Sequence, residues 1–142
     1  MKEALLLLLL ALGSAGSAIA GAPVGLLDQI NAARSEASLA AVQADPVLDE
    51  LAGVWAGHAA KNESMAHRKD LPALAREKGW RLLNENIYAG TGPVDAARVL
   101  RAWKNSPGHW RNLMNPALTH AGLGASVSAG GETYVVFNGA VR

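Results

Sequence analysis

The feature that most constrains this chain is its first twenty residues, whose composition differs from everything after them. Lys2 and Glu3 precede an apolar run, Ala4 to Leu12, that includes six consecutive leucines. Small residues follow and end in Ala18-Ile19-Ala20, a pattern typical of signal-peptide cleavage sites. Crossing a bilayer core of ~30 Å takes about 20 apolar residues, so the shortness of this run disfavours the alternative of an uncleaved membrane anchor. We therefore predict a signal peptide over residues 1–20 and export to the periplasm or the extracellular space.

The remaining residues, 21–142, suffice for one domain with a modest hydrophobic core. Without Lys2 and Glu3, 12 basic and 11 acidic residues are left of the chain's 13 and 12. They form no block of like charge, which argues against a nucleic-acid or membrane-surface partner. In the absence of a long apolar or charged stripe, we expect a monomer.

Cysteine is absent from the whole sequence. Small exported domains often depend on disulfides, so this one must be held together by packing alone. The absence of thiols also excludes a cysteine peptidase, a cysteine-rich zinc site and a lipid anchor attached to cysteine.

Hydrophobic periodicity predicts helices in the first two thirds of the mature chain. The clearest start is Asp45-Pro46, a capping residue followed by the residue best suited to the first helical position. The predicted helices are Leu26–Ser38, Pro46 to about Asn62, Leu71–Lys78 ended by Gly79, one opened by Pro93 with Val94, Ala97, Leu100 and Trp103 on its inner face, and a short segment Trp110–Met114.

The β-favouring segments are few and short. They are Asn84–Ala89, Leu123–Ser128 and Thr133–Val136, and the last two are joined by a turn containing Gly130-Gly131, which suits positive φ. Helices therefore come first and an antiparallel sheet collects the end of the chain, so we predict the α+β class.

The common catalytic signatures are missing from this sequence: it has no G-x-S-x-G elbow, no H-E-x-x-H, no phosphate-binding glycine loop and no EF-hand loop. Three groups from separate segments remain as candidates for chemistry. Glu85 is flanked by two asparagines in a strand-like segment, which is an unusual position for a carboxylate. Beside His67 and His109 it can fix the tautomers of the imidazoles. Such a trio suits either a metal site or an acid–base site, although each histidine alone is equally consistent with a surface residue.

The other two histidines and the four tryptophans fit structural roles better. We expect His58 to be a core or boundary residue beside Trp55, and His120 to lie at a strand edge, with a place in the cleft as the alternative. Trp55, Trp80 and Trp103 are core candidates. Trp110, next to His109, is the tryptophan expected to line a groove.

The order of these motifs resembles the CAP superfamily, which includes cysteine-rich secretory proteins, venom antigens and plant pathogenesis-related proteins. The sequence is most similar to its small bacterial members, and the resemblance covers about Leu26 to Phe137. The residues that carry it are Asn31-x-x-Arg34, Asp45-Pro46-x-Leu48, His67, Asn84-Glu85-Asn86-Ile87, Trp103-Lys104-Asn105-Ser106-Pro107-Gly108-His109, Asn112-Leu113-Met114-Asn115-Pro116 and Thr119-His120-Ala121-Gly122-Leu123-Gly124.

The resemblance implies an α-β-α sandwich with a three-stranded antiparallel sheet between helices, over residues 21–142. It also implies a cleft of two histidines and two glutamates that holds zinc or another divalent ion in some relatives. His67, Glu85 and His109 match three of these groups. Ser106 stands where the eukaryotic pattern has the second glutamate, which casts doubt on mechanisms that need paired carboxylates and weakens the expected metal site, here His67 and His109.

Three functions are compatible with this reading. The first, which we favour, is a non-catalytic binding module for a lipid, a peptide or a cell-envelope ligand, with Ser106, Trp110 and His120 as ligand contacts. The second is a hydrolase, a peptidase or esterase, that uses zinc or a Glu85–histidine pair. Its weakness is the number of ligands, because catalytic zinc usually has three from the protein. The third is a secreted interaction protein whose cleft has no chemical role.

Overall fold

The structure, a computed structural model, describes residues 21–142. The predicted signal peptide therefore lies outside the described residues and stays a prediction. The helices are α1 Leu26–Glu36, α2 Pro46–Asn62, α3 Leu71–Lys78, α4 Ala96–Lys104 and α5 Pro107–Leu113, and the strands are β1 Gln43–Ala44, β2 Leu82–Gly90, β3 His120–Val127 and β4 Thr133–Val141. The mixed α+β class is confirmed.

The strands form one four-stranded sheet in the order β1-β3-β4-β2. β3, β4 and β2 are antiparallel neighbours, which is the three-stranded sheet that the resemblance implied. The fourth strand, β1, was not predicted. It has two residues and runs parallel to the start of β3. Two residues are too few to produce a periodic pattern, and β1 exists because the chain passes β3 on its way into α2.

Helices cover both faces of the sheet, as expected for a sandwich. On one face α2 packs through Leu48, Ala52 and Ala56 against the sheet residues Ile87 and Val136. On the other face α1, α4 and α5 enclose the larger core, in which Trp103 meets Phe137 edge to face with ring centroids 6.3 Å apart. The alternation of side chains along β2 therefore decides which helix layer each residue meets.

The predicted boundaries of α2 and α3 are confirmed by their caps. The Asp45 carboxylate accepts a hydrogen bond from the backbone N–H of Val47 at 2.8 Å, and Pro46 occupies the first turn. Gly79 ends α3 with φ at 72°, a conformation that glycine adopts without steric cost.

The predicted start of α4 is wrong, and its predicted inner face is right except at Ala97. The helix begins at Ala96, because the carboxylate of Asp95 caps it by accepting from the N–H of Arg98 at 2.8 Å. Its fully buried residues are Ala96, Val99 and Trp103. Leu100 is half-buried and packs against the same core, whereas Ala97 is exposed. Pro93 and Val94 precede the helix, so a strong capping residue outweighed proline as the start signal.

Two glycines of β3 let α2 lie directly on the sheet. A methyl group at Gly122 would overlap the backbone of Leu48 and Asp49, and one at Gly124 would overlap the backbone of Ala52 and Gly53. The G-x-G motif is therefore a steric requirement of this helix–sheet contact.

Candidate functional site

The candidate site is built around Glu85, on the edge strand β2. Because side chains alternate along a strand, Glu85 shares the α2-facing side of the sheet with Leu83 and Ile87. The side chain of Glu85 has no exposed surface. A buried carboxylate is costly unless it is hydrogen-bonded, so its partners define what this position does.

One carboxylate oxygen of Glu85 has two donors. His67 Nδ1 lies 3.1 Å from Glu85 Oε1, and the backbone N–H of Arg68 donates to the same oxygen at 3.1 Å. A carboxylate only accepts hydrogen bonds, so Nδ1 of His67 carries the proton. In the neutral ring Nε2 is then the free acceptor, and the His67 side chain is 54% exposed. Glu85 thus orients His67 toward a ligand from outside.

The loop between α2 and α3 brings His67 to this position. The indole of Trp55, on α2, donates to the carbonyl of Ala66 at 3.0 Å. The backbone N–H of Ala66 donates in turn to the hydroxyl of Ser64 at 3.1 Å. These contacts hold the residue before His67 against α2, so the imidazole is placed by the loop as well as by Glu85.

His109 reaches the same edge of the sheet from the other helix layer. The side-chain amide of Asn86 donates to the carbonyl of His109 at 3.0 Å, which ties α5 to β2. Partial burial lowers the pKa of His109 below its ordinary value, and the charge that His67 carries when protonated lowers it further. The two imidazoles are therefore close enough for their charges to interact, and His109 is neutral at pH 7.

Polar side chains of α4 and α5 cover the outer edge of β2. Asn112 Nδ2 donates to the carbonyl of Glu85 at 3.1 Å and to Oδ1 of Asn86 at 2.9 Å, while the Trp103 indole donates to the carbonyl of Ile87 at 3.2 Å. These contacts protect the free edge and fix the backbone of Glu85. Sequence reasoning gave no role to the side chains of Asn86 and Asn112. The signal that points to Asn86 is the pair of asparagines that flank Glu85 within one strand. Asn112 lies on α5, where no such signal is present.

The second carboxylate oxygen of Glu85, Oε2, is buried and has no hydrogen-bond partner among residues 21–142. Leaving a charged acceptor unsatisfied costs more than the ~1–3 kcal/mol of a neutral group. Oε2 is therefore the atom of the site with the strongest demand for an additional donor.

Ser106 and Trp110 flank His109 without joining the trio. Ser106 is the residue before α5 and makes no side-chain capping bond. Trp110 lines a groove of about 300 Å³ between α1, α4 and α5 together with Leu100 and Lys104. The expectation that Trp110 lines a groove agrees with this position. The groove belongs to the α1-α4-α5 layer, whereas Glu85 faces the α2 side.

His120 and His58 lie elsewhere. His120 pairs with Gln43 on one side and Ala140 on the other, so β4 separates it from the strand of Glu85. Its Nδ1 lies 2.8 Å from the hydroxyl oxygen of Thr119. The core position considered for His58 is wrong, because His58 is exposed and stacks on Trp55 with centroids 4.3 Å apart. It lies on the outward side of α2, which periodicity alone did not resolve.

The comparison with known proteins decides the family. The model of the family described as "CAP: Cysteine-rich secretory protein family" matches residues 27–138, most of the chain and all three residues of the trio. The chain belongs to the CAP family.

The CAP chain also resembles solved bacterial structures. It superposes on an outer surface protein from Borrelia burgdorferi with a TM-score of 0.73 at 21% identity, covering 82% of this chain and 90% of that one. An extracellular protein containing an SCP domain from Bacillus anthracis gives 0.65 at 28% identity, covering 82% and 39%. These likenesses confirm the CAP fold of a small bacterial-type member.

One curated relative matches over a shorter stretch. Uncharacterized protein YkwD of Bacillus subtilis (strain 168) is 40% identical over 45 residues, which are 32% of the CAP chain and 17% of that protein. The chain spans only part of the length of these relatives, 17% of YkwD and 39% of the Bacillus anthracis protein. Within residues 21–142 of the CAP chain, each helix is too short or too polar to cross a membrane.

The divalent ion that the CAP resemblance implies can be tested against the donors present. No group of three or more His, Asp or Glu side chains is arranged to hold a metal ion anywhere in residues 21–142. Glu85 Oε1 is already bonded to His67 and Arg68. The donor set therefore fits a metal only through the two imidazoles, which is fewer than the three protein ligands of a catalytic zinc.

Proposed function

We propose that this CAP domain is an exported, non-catalytic binding module for a lipid, a peptide or a cell-envelope fragment. In this proposal the ligand meets the cleft formed by His67, Glu85 and His109, and the two imidazoles are its main polar contacts. Export is part of the proposal, supported by the apolar leader in the sequence and by relatives described as outer-surface or extracellular proteins.

The observation that carries the proposal is the complete burial of Glu85 with Oε1 bonded to His67. A general base must reach the proton that it removes, either directly or through one water. A carboxylate without exposed surface that holds an imidazole and a backbone N–H acts as an orienting group instead. His67 then presents a fixed acceptor, Nε2, which suits recognition of a donor or weak coordination of a cation.

The groove beside Trp110 supports a ligand larger than a single ion. It measures about 300 Å³, the lower end of the range for small-molecule sites, and combines an indole with the ammonium of Lys104, 5.7 Å from the ring centroid. Because Trp110 directly follows His109 on α5, a ligand that binds in the groove is coupled to the cleft through a single helix.

A hydrolase is the second candidate, and two observations favour it. Oε2 of Glu85 lacks a partner among the described residues, and the lowered pKa of His109 leaves a neutral imidazole at pH 7 that is able to accept a proton. A water held between these two groups would have an acceptor on each side. The chain has no cysteine to act as a nucleophile, and Ser106, the predicted ligand contact, stands before α5 outside the trio.

Calorimetric titration of purified protein, first with zinc and then with peptides, lipids and envelope fragments, tests the proposal. We expect weak one-to-one zinc binding that is lost in the His67→Ala/His109→Ala double variant. The matched control is His58→Ala/His120→Ala, which removes the same number of imidazoles away from the cleft. Tight zinc binding that survives the first double variant would contradict the proposed cleft.

Hydrolysis assays separate the two candidates. We expect no ester or peptide turnover above the blank in wild-type protein, and unchanged results in Glu85→Gln. Turnover that disappears in Glu85→Gln while the circular dichroism spectrum stays native would replace the binding module with an enzyme. Because glutamine keeps an acceptor oxygen for His67, this variant removes the charge without deleting the orienting bond.

A further inference from the structure

A further concavity, which we call the α3–β2 groove, lies between α3 and the first residues of β2. It measures about 300 Å³, and its lining includes Pro72, Arg76, Trp80, Arg81, Leu82 and Leu83. The lining shares no residue with the cleft of His67, Glu85 and His109 or with the Trp110 groove. The α3–β2 groove is therefore a separate site.

The floor of the α3–β2 groove is apolar and fixed by the backbone. Trp80 and Leu83 are each 9% exposed and belong to one hydrophobic cluster. The backbone N–H of Trp80 donates to the carbonyl of Ala75 at 2.8 Å, and that of Arg81 donates to the carbonyl of Val141 at 2.8 Å. Helix α3 thus holds one end of the floor and the sheet holds the other, so the groove is formed before a ligand binds.

Two exposed arginines from different elements border this floor. Arg76 lies in the last turn of α3, and Arg81 immediately precedes β2. The ion pairs within residues 21–142 involve the cations His67, Arg68 and Arg142, so neither Arg76 nor Arg81 has a carboxylate partner among those residues. Both guanidinium groups are accessible to solvent, and the described part of the protein does not neutralise them.

A third arginine lies beside the groove but is already paired. The guanidinium carbon of Arg142 is 5.7 Å from the centroid of the Trp80 ring, and the group forms an ion pair with the buried carboxylate of Asp45. None of the described residues that line the groove is acidic. Arg76 and Arg81 therefore leave a local excess of two positive charges, which favours an anionic ligand.

The lining side chains donate hydrogen bonds but do not accept them. The guanidinium groups and the Trp80 indole have only N–H groups, and the other lining side chains are apolar. A sugar hydroxyl needs acceptors as well as donors, so this lining disfavours a glycan. A carboxylate only accepts, and its two oxygens match the fork of an arginine. The groove is therefore suited to carboxylates attached to an apolar group.

The two arginines also set the number of anionic groups. Because Arg76 and Arg81 lie on different elements, a ligand with a single acidic head would pair with one of them and leave the other unpaired. A peptide segment with acidic residues on both sides of one apolar residue supplies a carboxylate for each arginine. Its apolar side chain would cover the floor between them.

We propose that the α3–β2 groove is a docking site for an acidic peptide segment of a partner protein, in which carboxylates flank one apolar side chain. Arg76 and Arg81 bind the carboxylates, and the apolar side chain lies against Trp80 and Leu82. Exposed charges are screened by salt, so the association weakens as the ionic strength rises. The proposal is independent of whether the His67 cleft binds anything.

The test is an NMR titration of the isotope-labelled protein with the peptide Ac-Glu-Glu-Leu-Glu-Glu-amide. The signal is the indole N–H of Trp80, identified by its absence in Trp80→Phe. We expect a saturable shift, with the affinity weakened at least fivefold in Arg76→Gln and in Arg81→Gln. Arg101→Gln is the matched control, because it removes the same charge from an exposed position on α4, and its affinity should equal that of wild type.

Two altered peptides separate the parts of the ligand. Ac-Gln-Gln-Leu-Gln-Gln-amide, which lacks the carboxylates, should bind at least tenfold more weakly. Ac-Glu-Glu-Ser-Glu-Glu-amide, which lacks the apolar side chain, should bind at least threefold more weakly. The affinity for the first peptide should also decrease between about 20 and about 300 mM sodium chloride.

Several outcomes would overturn the proposal. They are the absence of a saturable shift, equal affinity in wild type and both arginine variants of the groove, or equal binding of the three peptides. Tighter binding of decanoate, phosphatidylglycerol vesicles or a heparin oligosaccharide than of the acidic peptide would also overturn it, since a lipid or a glycan would then be the ligand. Both arginines are exposed, and the dispersion of the amide signals shows whether each variant is folded.

Discussion

Two helix–sheet contacts in this domain solve the same packing problem in opposite ways. α2 packs closely on β3 because Gly122 and Gly124, which face the helix backbone, have no side chains. α5 lies against β2 because side chains are present, with Asn86 and Asn112 bridging the two elements through hydrogen bonds. The first contact brings the helix backbone onto the sheet and includes one side-chain hydrogen bond, from the N–H of Leu123 to the carboxylate of Asp49 at 2.9 Å. The second contact places polar groups at the sheet edge.

The difference explains where a site can form. A contact made of glycine and alanine leaves no group that is able to bind a ligand, so its value is purely structural. A contact made of amides must satisfy each donor and acceptor, and it holds Glu85 and His109 in fixed positions while doing so. The domain therefore uses steric fit where it needs rigidity and hydrogen bonds where it presents chemistry.

Gly124→Ala should break the first contact and produce the largest effect. The added methyl overlaps the backbone of Ala52 and Gly53, which belongs to a helix and is not free to yield. We expect a loss of about 3 kcal/mol in the free energy of unfolding, at the upper end of overpacking. Urea denaturation measures it.

Gly57→Ala is the control for this prediction. A methyl at Gly57, also on α2, meets nothing within 4 Å. Removal of a mid-helix glycine should therefore raise stability by about 0.5–1 kcal/mol. Equal losses in the two variants would mean that the steric account of the α2–β3 contact is wrong.

Asn112→Ala should break the second contact with a smaller effect. It removes the donor to the Glu85 carbonyl and to Asn86 Oδ1. Unsatisfied buried acceptors cost about 1–3 kcal/mol, and we expect about 2 kcal/mol by urea denaturation. Asn105→Ala, at an exposed position, should stay within about 0.5 kcal/mol of wild type. A neutral Asn112→Ala would show that the amide network does not hold α5.

The smallest effect concerns the protonation of His109. Its pKa is lowered in the folded state by burial and by the charge of His67. The unfolded chain then binds more protons than the folded one as the pH falls through about 6.5, so stability is full above that pH and decreases below it. Urea denaturation between pH 7.5 and 5 in metal-free buffer should show this loss in wild type and a smaller one in His109→Gln.

His67→Gln sharpens the same prediction. Proton NMR titration should place the pKa of His109 nearer its ordinary value in this variant, because the positive neighbour is gone. The return should be incomplete, since burial is the larger cause of the shift. A pKa of His109 that is the same with and without His67 would show that the two imidazoles do not interact.

Much of the fold followed from local signals. Asp45-Pro46 and Gly79 set the ends of helices because caps act on the backbone groups within one turn. Local reasoning failed at the start of α4, where it took Pro93 for the first residue although Asp95 caps the helix. It also failed at β1, whose two residues are ordered by their parallel pairing with β3.

The sequence by itself determined the family, through the order of its motifs, and it identified three residues of the candidate site. Only the tertiary structure decided how they relate, because His67 and Glu85 are 18 positions apart and meet where a loop beside α2 reaches an edge strand. It also decided that Trp110 and Glu85 belong to opposite sides of the sheet, and that Arg76 and Arg81 border the same apolar groove. Local propensity acts over one turn or one strand, whereas burial and pairing depend on residues brought together by the whole fold.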